Sequence, residues 1–334
     1  MMKVANLAAG VVSILIFSLL ACNEGRDSSP YAELLKQAPY GNLTDSIQRA
    51  GSRSDLYFRR GQLLAKNEQA EPALADYQKA WSLEKREEYA VAISNLLLDR
   101  DPVRATAFIQ EALRELPGNL FLQLNLVEAY KQQQKTDEAL AVCNEIIEKY
   151  PGQIDALISK SELLETKNDP GGSVATLEQA YQLAPFDGEL CHNLAFKYAQ
   201  TKNSKVLPLC DSLIKADSAG THAEPYYFKG VYYYNIGDKS RALNQFNQSI
   251  VHDYYFLDAY LEKGRILYEQ RNYSTASQVF QLATTISPAF ADAYYWLARC
   301  EQATGKKEEA KENYLRAYNF DKTLTAARDS AANL

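Results

Sequence analysis

The feature that most constrains the fold is a repeat in the second half of the chain, with a period of about 34 residues. Small residues recur at equal intervals, at Ala242, Ala276 and Ala310. Each is followed four residues later by an aromatic residue and seven residues later by another small residue: Phe246 and Ser249, Phe280 and Ala283, Tyr314 and Ala317. Offsets of four and seven fall on one face of a helix, so the pattern predicts a closely packed helix in every repeat.

The same register continues towards the N-terminus. The position of Ala242 is taken upstream by Leu207, Ser173, Ala139, Ala105 and Ala73. A small residue recurs twelve positions earlier in most repeats, at Gly61, Ser161, Ala195, Gly230, Gly264 and Ala298. Ile93 and Val127 depart from this rule. The register predicts eight repeats, which begin near residues 54, 86, 120, 154, 188, 223, 257 and 291.

This period and spacing, closed by a proline in several repeats, resembles the tetratricopeptide repeat. The closing prolines are Pro117, Pro151, Pro185 and Pro288. The resemblance implies an all-α fold, a TPR α-solenoid in which helical hairpins stack into a right-handed superhelix. One hairpin cannot bury its apolar stripe alone, so neighbouring repeats share a continuous core. A C-terminal capping helix is expected over residues 325–334.

The fifth repeat is the most irregular, because Leu207 and Ile214 replace small residues and Pro208 lies at the start of its second helix. We therefore expect a joint after it, which separates repeats 1–5 (54–222) from repeats 6–8 (223–324). Residues 31–53 are interpreted as an irregular N-terminal helical cap, in which Thr44 or Asp45 could be the N-cap of a helix.

The N-terminus has the pattern of a secretory signal, with Lys3 followed by the apolar run "VVSILIFSLL". The sequence "LLAC" at 19–22 resembles the bacterial lipobox. That resemblance implies a lipoprotein signal peptide at 1–21, acylation (palmitate) of Cys22 and a lipidated flexible tether at 22–30. An uncleaved anchor over 4–20 is the alternative, since this run just reaches the minimum length for a membrane span. The expected location is the cell envelope, lipid-anchored to a membrane, with the outer membrane favoured and the body in the periplasm or at the cell surface.

Charge and residue counts exclude several classes of function. Residues 1–21 contain one lysine and no acidic residue, so the mature chain carries a net charge of −7, which argues against nucleic acid as a partner. The histidines His192, His222 and His252 recur at an interval shorter than the repeat, and are therefore not expected to share a face. No metal or other cofactor is expected. A disulfide between Cys191 and Cys210 is left open.

In tetratricopeptide proteins, positions 2, 5, 9, 12 and 13 of each first helix line a concave groove. Carried onto repeats 6–8, this rule implies a partner-binding groove that includes Tyr227, Val231, Tyr234, Leu261, Arg265, Tyr268, Tyr295 and Arg299. Tyrosine and arginine are enriched at binding hot spots, and 14 of the 23 tyrosines lie between residues 223 and 324. Core packing of these tyrosines is the alternative. The family's carboxylate clamp is not matched, since Asn125 and Asn193 occupy its positions alone.

The sequence contains no catalytic motif of the common hydrolase, phosphate-binding or zinc-protease types, so no enzymatic activity is expected. The favoured hypothesis is a membrane-tethered TPR scaffold that binds an envelope protein or peptide and assembles an envelope complex. The alternative is an outer-membrane lipoprotein that binds a carbohydrate or small ligand through an aromatic groove. The repeats lack the large insertions that usually build sugar sites. Self-association into a homo-oligomer is a further use that exposed aromatic residues could have.

Overall fold

The computed structural model describes residues 30–334, and these contain nineteen helices and no strand. The all-α fold class is confirmed. In chain order the helices are α1 (Ala32–Lys36), α2 (Gly41–Arg49), α3 (Ser54–Lys66), α4 (Ala70–Leu83), α5 (Glu87–Leu98), α6 (Pro102–Glu115), α7 (Leu120–Gln132), α8 (Thr136–Lys149), α9 (Ile154–Thr166), α10 (Pro170–Leu183), α11 (Gly188–Gln200), α12 (Val206–Ala216), α13 (Glu224–Asn235), α14 (Lys239–His252), α15 (Leu257–Glu269), α16 (Tyr273–Ile286), α17 (Ala291–Ala303), α18 (Lys307–Phe320) and α19 (Thr325–Ala332). Among residues 30–334, none of these helices combines the length and the apolar character that a membrane crossing needs.

The chain divides into two compact units, of which the first extends to Leu96 and the second runs from Leu97 to Leu334. The first unit is built around the hairpin of α3 and α4, whose facing surfaces are in close contact. At its centre the Arg60 guanidinium donates two hydrogen bonds to the Asp76 carboxylate, at 2.7 Å from Nε and 2.8 Å from Nη2. Both residues are buried, with 3% and 5% of their surface exposed.

The prediction that Thr44 or Asp45 caps a helix is wrong. Helix α2 begins three residues earlier, at Gly41, and its N-cap residue is Tyr40. Thr44 lies buried inside the helix, where its hydroxyl donates to the Leu35 carbonyl oxygen at 2.6 Å. The same hydroxyl accepts a hydrogen bond from Arg60 Nη1 at 2.9 Å. The sequence around Thr44 resembles the start of a helix. The buried Arg60 guanidinium, however, requires a hydrogen-bond acceptor, and the Thr44 hydroxyl provides one.

The second unit is a stack of helical hairpins in which each helix packs on the next along the chain. Close approach of the two helices in a hairpin explains the small residue of the repeat. A Cβ atom on Gly230 would lie 2.6 Å from the Phe246 ring, and one on Gly264 would lie 2.4 Å from the Phe280 ring. Both rings are fully buried. The aromatic residue of one helix therefore fills the space that the missing side chain leaves on the other.

Two further features define the stack. The turn inside most hairpins contains one residue in the left-handed region: Gln134, Asn168, Lys202 and Arg271 have φ between 58° and 62°, and Gly237 and Gly305 take the equivalent place. At the C-terminus, α19 packs on α18 and buries Ala327 and Ala331 against Tyr314 and Ala317. The expected C-terminal capping helix is thus present.

The fifth repeat consists of α11 and α12, and α12 has only 11 residues where the other second helices of this unit have 14. Pro208 lies in its first turn, where proline is tolerated. The loop that follows, 217–223, is held by the Asp217 carboxylate, which accepts hydrogen bonds from the backbone N–H groups of Ala219, Gly220 and His222. Helix α11 packs directly on α13 within this unit. A joint at this loop stays a prediction.

Candidate functional site

The candidate groove is formed by α13, α15 and α17, the first helices of the last three hairpins. Residues three or four apart on one helix share a face. This spacing places Tyr227, Val231 and Tyr234 together on α13, and it places Leu261, Arg265 and Tyr268 together on α15. On α17 it does the same for Tyr295 and Arg299. All eight side chains are partly exposed.

Four of these residues line one pocket, which we call the tyrosine pocket. It has a volume of about 460 Å³ and is lined by Phe196, Gln200, Tyr227, Val231, Tyr234, Asn235, Glu262 and Arg265. Tyr227 forms its apolar wall, with ring centroids 5.7 Å from Phe246 and 5.3 Å from Phe256. Burial raises the pKa of the Tyr227 phenol well above its ordinary value, so the group is neutral at physiological pH.

Hydrogen bonds between neighbouring repeats hold the rim of the tyrosine pocket. Asn235 Nδ2 donates to the Ala199 carbonyl oxygen at 3.0 Å, which ties α13 to α11. The Tyr234 hydroxyl donates to Glu269 Oε1 at 2.7 Å, which ties α13 to α15. Lys239 Nζ lies 2.9 Å from the other oxygen of Glu269. A ligand would therefore meet a wall whose side chains are already fixed in place.

A charged pair on α15 forms part of the wall of the tyrosine pocket. Arg265 Nη1 donates to Glu262 Oε1 at 2.7 Å, while Arg265 Nε is buried and has no hydrogen-bond partner among the described residues. Burial raises the pKa of the Glu262 carboxyl, and the Arg265 charge opposes that rise.

The second feature of the groove is a cluster of aromatic rings and arginines, the Arg–Trp cluster: Arg265, Tyr268, Tyr295, Trp296 and Arg299. The Arg299 guanidinium carbon lies 4.4 Å from the centroid of the Trp296 ring and 4.8 Å from that of Tyr268. The Arg265 guanidinium carbon lies 5.6 Å from the Trp296 centroid. These distances are in the range of cation–π contact.

The structure brings seven of the eight implied groove residues into these two features. Leu261 is the exception, because it lines neither the tyrosine pocket nor the Arg–Trp cluster; it packs against the buried core of α15, α16 and α17. Partner binding by any of the eight stays a prediction. Cys22 lies outside the described residues. Trp296 and Glu262 were missed, although a signal existed: each precedes an implied arginine by three residues and so shares its helix face.

In the earlier repeats of the second unit the same surface is charged and internally paired. Lys131 on α7 lies 2.7 Å from Glu162 on α9, and Glu165 on α9 pairs with Lys197 on α11. Lys131 also contacts Glu128 at 3.4 Å. Glu128, Glu162 and Glu165 on this surface are thus each paired with a lysine.

The prediction that the histidines would not share a face is wrong for two of them. The rings of His192 and His222 lie with centroids 6.2 Å apart. His252 stacks on Tyr226 at 4.4 Å, and its Nδ1 lies 2.7 Å from the Gly220 carbonyl oxygen. All three surround the loop 217–223, which departs from the repeat and so alters the spacing. No group of three or more His, Cys, Asp and Glu side chains within residues 30–334 is arranged to hold a metal ion.

The four cysteines of the described part of the chain, Cys143, Cys191, Cys210 and Cys300, are free and buried. Cys191 and Cys210 are therefore not joined in this structure. Burial raises the pKa of the Cys143 thiol to about 11 and those of Cys210 and Cys300 to about 12. Burial also raises the pKa of Cys191. These thiols behave as small apolar core residues.

Three family models described as tetratricopeptide repeat match the chain, over residues 96–160, 229–289 and 291–323. Among solved structures, the chain is similar to a tetratricopeptide repeat protein from Parabacteroides merdae ATCC 43184, with 17% sequence identity and a TM-score of 0.59. This match covers 73% of this chain and 97% of the other.

Two further structures match less well. The Cut9–Hcn1 hetero-tetramer of the APC/C gives 14% identity and a TM-score of 0.47 over 92% of this chain and 63% of that one. MamA gives 15% identity and a TM-score of 0.33 over 60% of this chain and 97% of that one. From the family models and the Parabacteroides structure, the chain contains tetratricopeptide repeats, and its described residues have the fold of tetratricopeptide solenoid proteins.

Proposed function

We propose that this protein is a membrane-tethered scaffold that binds a segment of another envelope protein in the groove of α13, α15 and α17. The observation that carries the proposal is the partly exposed surface of aromatic and arginine side chains that runs from the tyrosine pocket to the Arg–Trp cluster. Tyrosine, tryptophan and arginine dominate binding hot spots, because they bury a large area and keep a polar group available.

The form of the groove favours a peptide or helix as ligand. The tyrosine pocket, of about 460 Å³, is within the size range that accepts side chains or small molecules. Beyond it the surface continues over α15 to α17, with Tyr268 and Trp296 rings 5.5 Å apart. An elongated ligand can therefore place one side chain in the pocket and continue along the cluster.

The tether rests on the lipobox-like sequence at 19–22. Each buried methylene of an acyl chain contributes about 0.8 kcal/mol to membrane binding, so two or more chains on Cys22 give stable anchoring. A scaffold held in this way acts on partners at the same membrane surface, which is the basis for placing the assembled complex in the envelope.

Replacing Cys22 by Ala is expected to abolish acylation, because the thiol that accepts the acyl chains is lost. In cells fed an alkyne analogue of palmitate, the wild-type protein should become labelled and the variant should not. Labelling is the readout rather than release from the membrane, because the variant keeps the apolar run at 4–20 and this run just reaches the length of a membrane span. Labelling of the variant equal to that of the wild type would show that residue 22 is not the site.

The triple change Tyr234→Ala, Arg265→Glu, Tyr268→Ala is expected to eliminate partner capture. It removes a rim contact of the tyrosine pocket and two members of the Arg–Trp cluster. The measurement is a crosslinked pull-down from solubilised envelopes, quantified by mass spectrometry. Proteins captured by the wild type should fall at least tenfold with the triple variant.

A matched control alters the same residue types outside the groove: Tyr254→Ala, Tyr255→Ala, Arg271→Glu. Both tyrosines are exposed in the loop between α14 and α15. Arg271 is exposed in the turn between α15 and α16, and Glu68 has a similar positive φ in the turn between α3 and α4, so glutamate is accepted in this conformation. Circular dichroism must show native helicity for both variants. Equal capture by all three proteins would refute the groove as docking site. Saturable binding of an oligosaccharide, or dimerisation through the groove, would assign it to another ligand.

A further inference from the structure

The Arg299 guanidinium has no acidic partner, although it lies in a protein with excess negative charge. No carboxylate within residues 30–334 forms an ion pair with it, and its contacts are the rings of Trp296, Tyr268 and Tyr295. Its side chain is only partly exposed. A guanidinium held against aromatic rings keeps its N–H donors directed to the edge, where they can bind an oxygen ligand.

Only part of the Arg265 guanidinium has a hydrogen-bond partner. Its Nη1 is bound to Glu262, but its buried Nε has no partner among the described residues. Buried donors of this kind normally have an acceptor, so the guanidinium is incompletely satisfied. Its Nη2 also has no hydrogen-bond partner among the described residues, and this group is the one that a ligand can approach. The lysines on the first helices of the preceding hairpins differ from Arg299, because Lys131, Lys197 and Lys229 each form an ion pair, as Arg265 does with Glu262.

The two guanidinium groups are close enough to act on one ligand. They lie 5.6 Å and 4.4 Å from the same Trp296 ring centroid, which limits the separation of their central carbons to about 10 Å. In an extended peptide, side chains at positions i and i+2 point the same way and are about 7 Å apart. Two acidic side chains with this spacing can reach both arginines.

We propose that Arg265 and Arg299 bind two carboxylates of an extended acidic segment of the partner protein. This inference rests on the proposed function and names the chemistry of its ligand. The apolar wall of the tyrosine pocket, made by Tyr227 and Val231, accepts an uncharged side chain beside the acidic pair, which favours a peptide over a polyanionic sugar. Charge-assisted bonds from arginine to carboxylate supply specificity.

The charges at the other end of the helices orient the segment. Asp258 and Asp292 lie in the first turns of α15 and α17, seven residues before the two arginines, which is about 10 Å along a helix. Burial, together with the neighbouring Asp321 and Asp258, raises the pKa of the Asp292 carboxyl. Asp258 and Asp292 form no ion pair among the described residues, whereas Glu262 and Glu269 at the arginine end are paired with Arg265 and Lys239. The acidic residues of the segment are therefore accepted at the arginine end.

The test uses the soluble chain from residue 30 onward and a fluorescein-labelled peptide of twelve residues in which Glu alternates with Thr and Val. A second peptide has Gln in place of every Glu. Fluorescence anisotropy measures the Kd at two salt concentrations. In a Trp81→Phe background, Trp296 is the only tryptophan, so a change in its emission reports binding at the cluster.

The wild type should bind the Glu peptide at least tenfold more tightly than the Gln peptide, and Arg265→Gln/Arg299→Gln should remove that preference. The control Arg104→Gln/Arg114→Gln removes the same charge from exposed positions of α6. This control protein should keep the preference for the Glu peptide. Equal affinity for both peptides, unchanged binding by the groove double variant, or tighter binding of a chondroitin sulfate fragment would overturn the inference.

If the Glu peptide does not bind while capture in the pull-down still depends on the groove, the inference is wrong and the proposed function stands. If pull-down is unaffected by the triple change, the proposed function itself falls.

Discussion

Replacing Asp76 by Ala is expected to lower the free energy of unfolding by about 3–5 kcal/mol, because it leaves the Arg60 guanidinium buried without its counter-charge. Burial of an isolated charge in a protein interior is far more costly than burial of a hydrogen-bonded pair. Trp81 lies in the same helix as Asp76 and is buried, so its fluorescence reports on this hairpin. The measurement is urea unfolding in a Trp296→Phe background, which leaves Trp81 as the single tryptophan.

The double change Arg60→Met/Asp76→Leu provides the control, because it removes both charges and fills the space with apolar side chains. Replacement of a buried ion pair in this way is often neutral. The double variant should therefore be more stable than Asp76→Ala by about 2 kcal/mol or more. A loss below about 1 kcal/mol for Asp76→Ala would contradict a desolvated pair and would indicate that water reaches Arg60.

Replacing Phe280 by Ala is expected to lower the free energy of unfolding by about 3–5 kcal/mol, because the ring is fully buried and fills the space above Gly264. Gly264, which faces the ring directly, has no side chain that could fill the cavity. Trp296 lies with its ring centroid 6.1 Å from that of Phe280, so its emission reports the loss directly. The measurement is urea unfolding in the Trp81→Phe background.

Leu282→Ala is the matched control, because Leu282 lies two residues away on α16 and is 38% exposed. Its effect should be within about 0.5 kcal/mol, the usual range for surface positions. Addition of Gly264→Ala should cost less in the Phe280→Ala protein than in the wild type, since the clashing ring is gone. Equal costs in both backgrounds would show that the two positions are not coupled, against the close approach described above.

The repeat made most of the fold predictable, because its period is set by hairpins that must each bury the same face. The register places first helices near 54, 86, 120, 154, 188, 223, 257 and 291, and in the structure they begin at Ser54, Glu87, Leu120, Ile154, Gly188, Glu224, Leu257 and Ala291. Outside the repeat the sequence was a poorer guide. Thr44 is a residue type that often caps helices, but here its hydroxyl accepts a hydrogen bond from the buried Arg60. His192 and His222 are brought together by the irregular loop at 217–223.

The candidate site was predictable in part for the same reason. Positions within a repeat give the face of the helix, and this identified Arg265 and Arg299. The position of a residue within its repeat does not predict which neighbouring side chain it contacts. Lys131 and Lys197 are paired across repeats, while Arg299 stacks on rings, and both outcomes depend on residues of neighbouring hairpins. Trp296 was missed because it is at position 6 of its first helix, which the groove rule leaves out, although it shares a helix face with Arg299.

The buried thiols have a use in studying how this array opens. Cys143, Cys191, Cys210 and Cys300 lie on α8, α11, α12 and α17, and thiol reagents attack the thiolate, which burial suppresses in each. Alkylation of a given cysteine therefore requires its hairpin to separate from its neighbours. Because repeat arrays lose structure hairpin by hairpin, the relative modification rates of the four would rank the local stabilities along the stack. The native sequence thus contains its own set of probes for the order in which the repeats come apart.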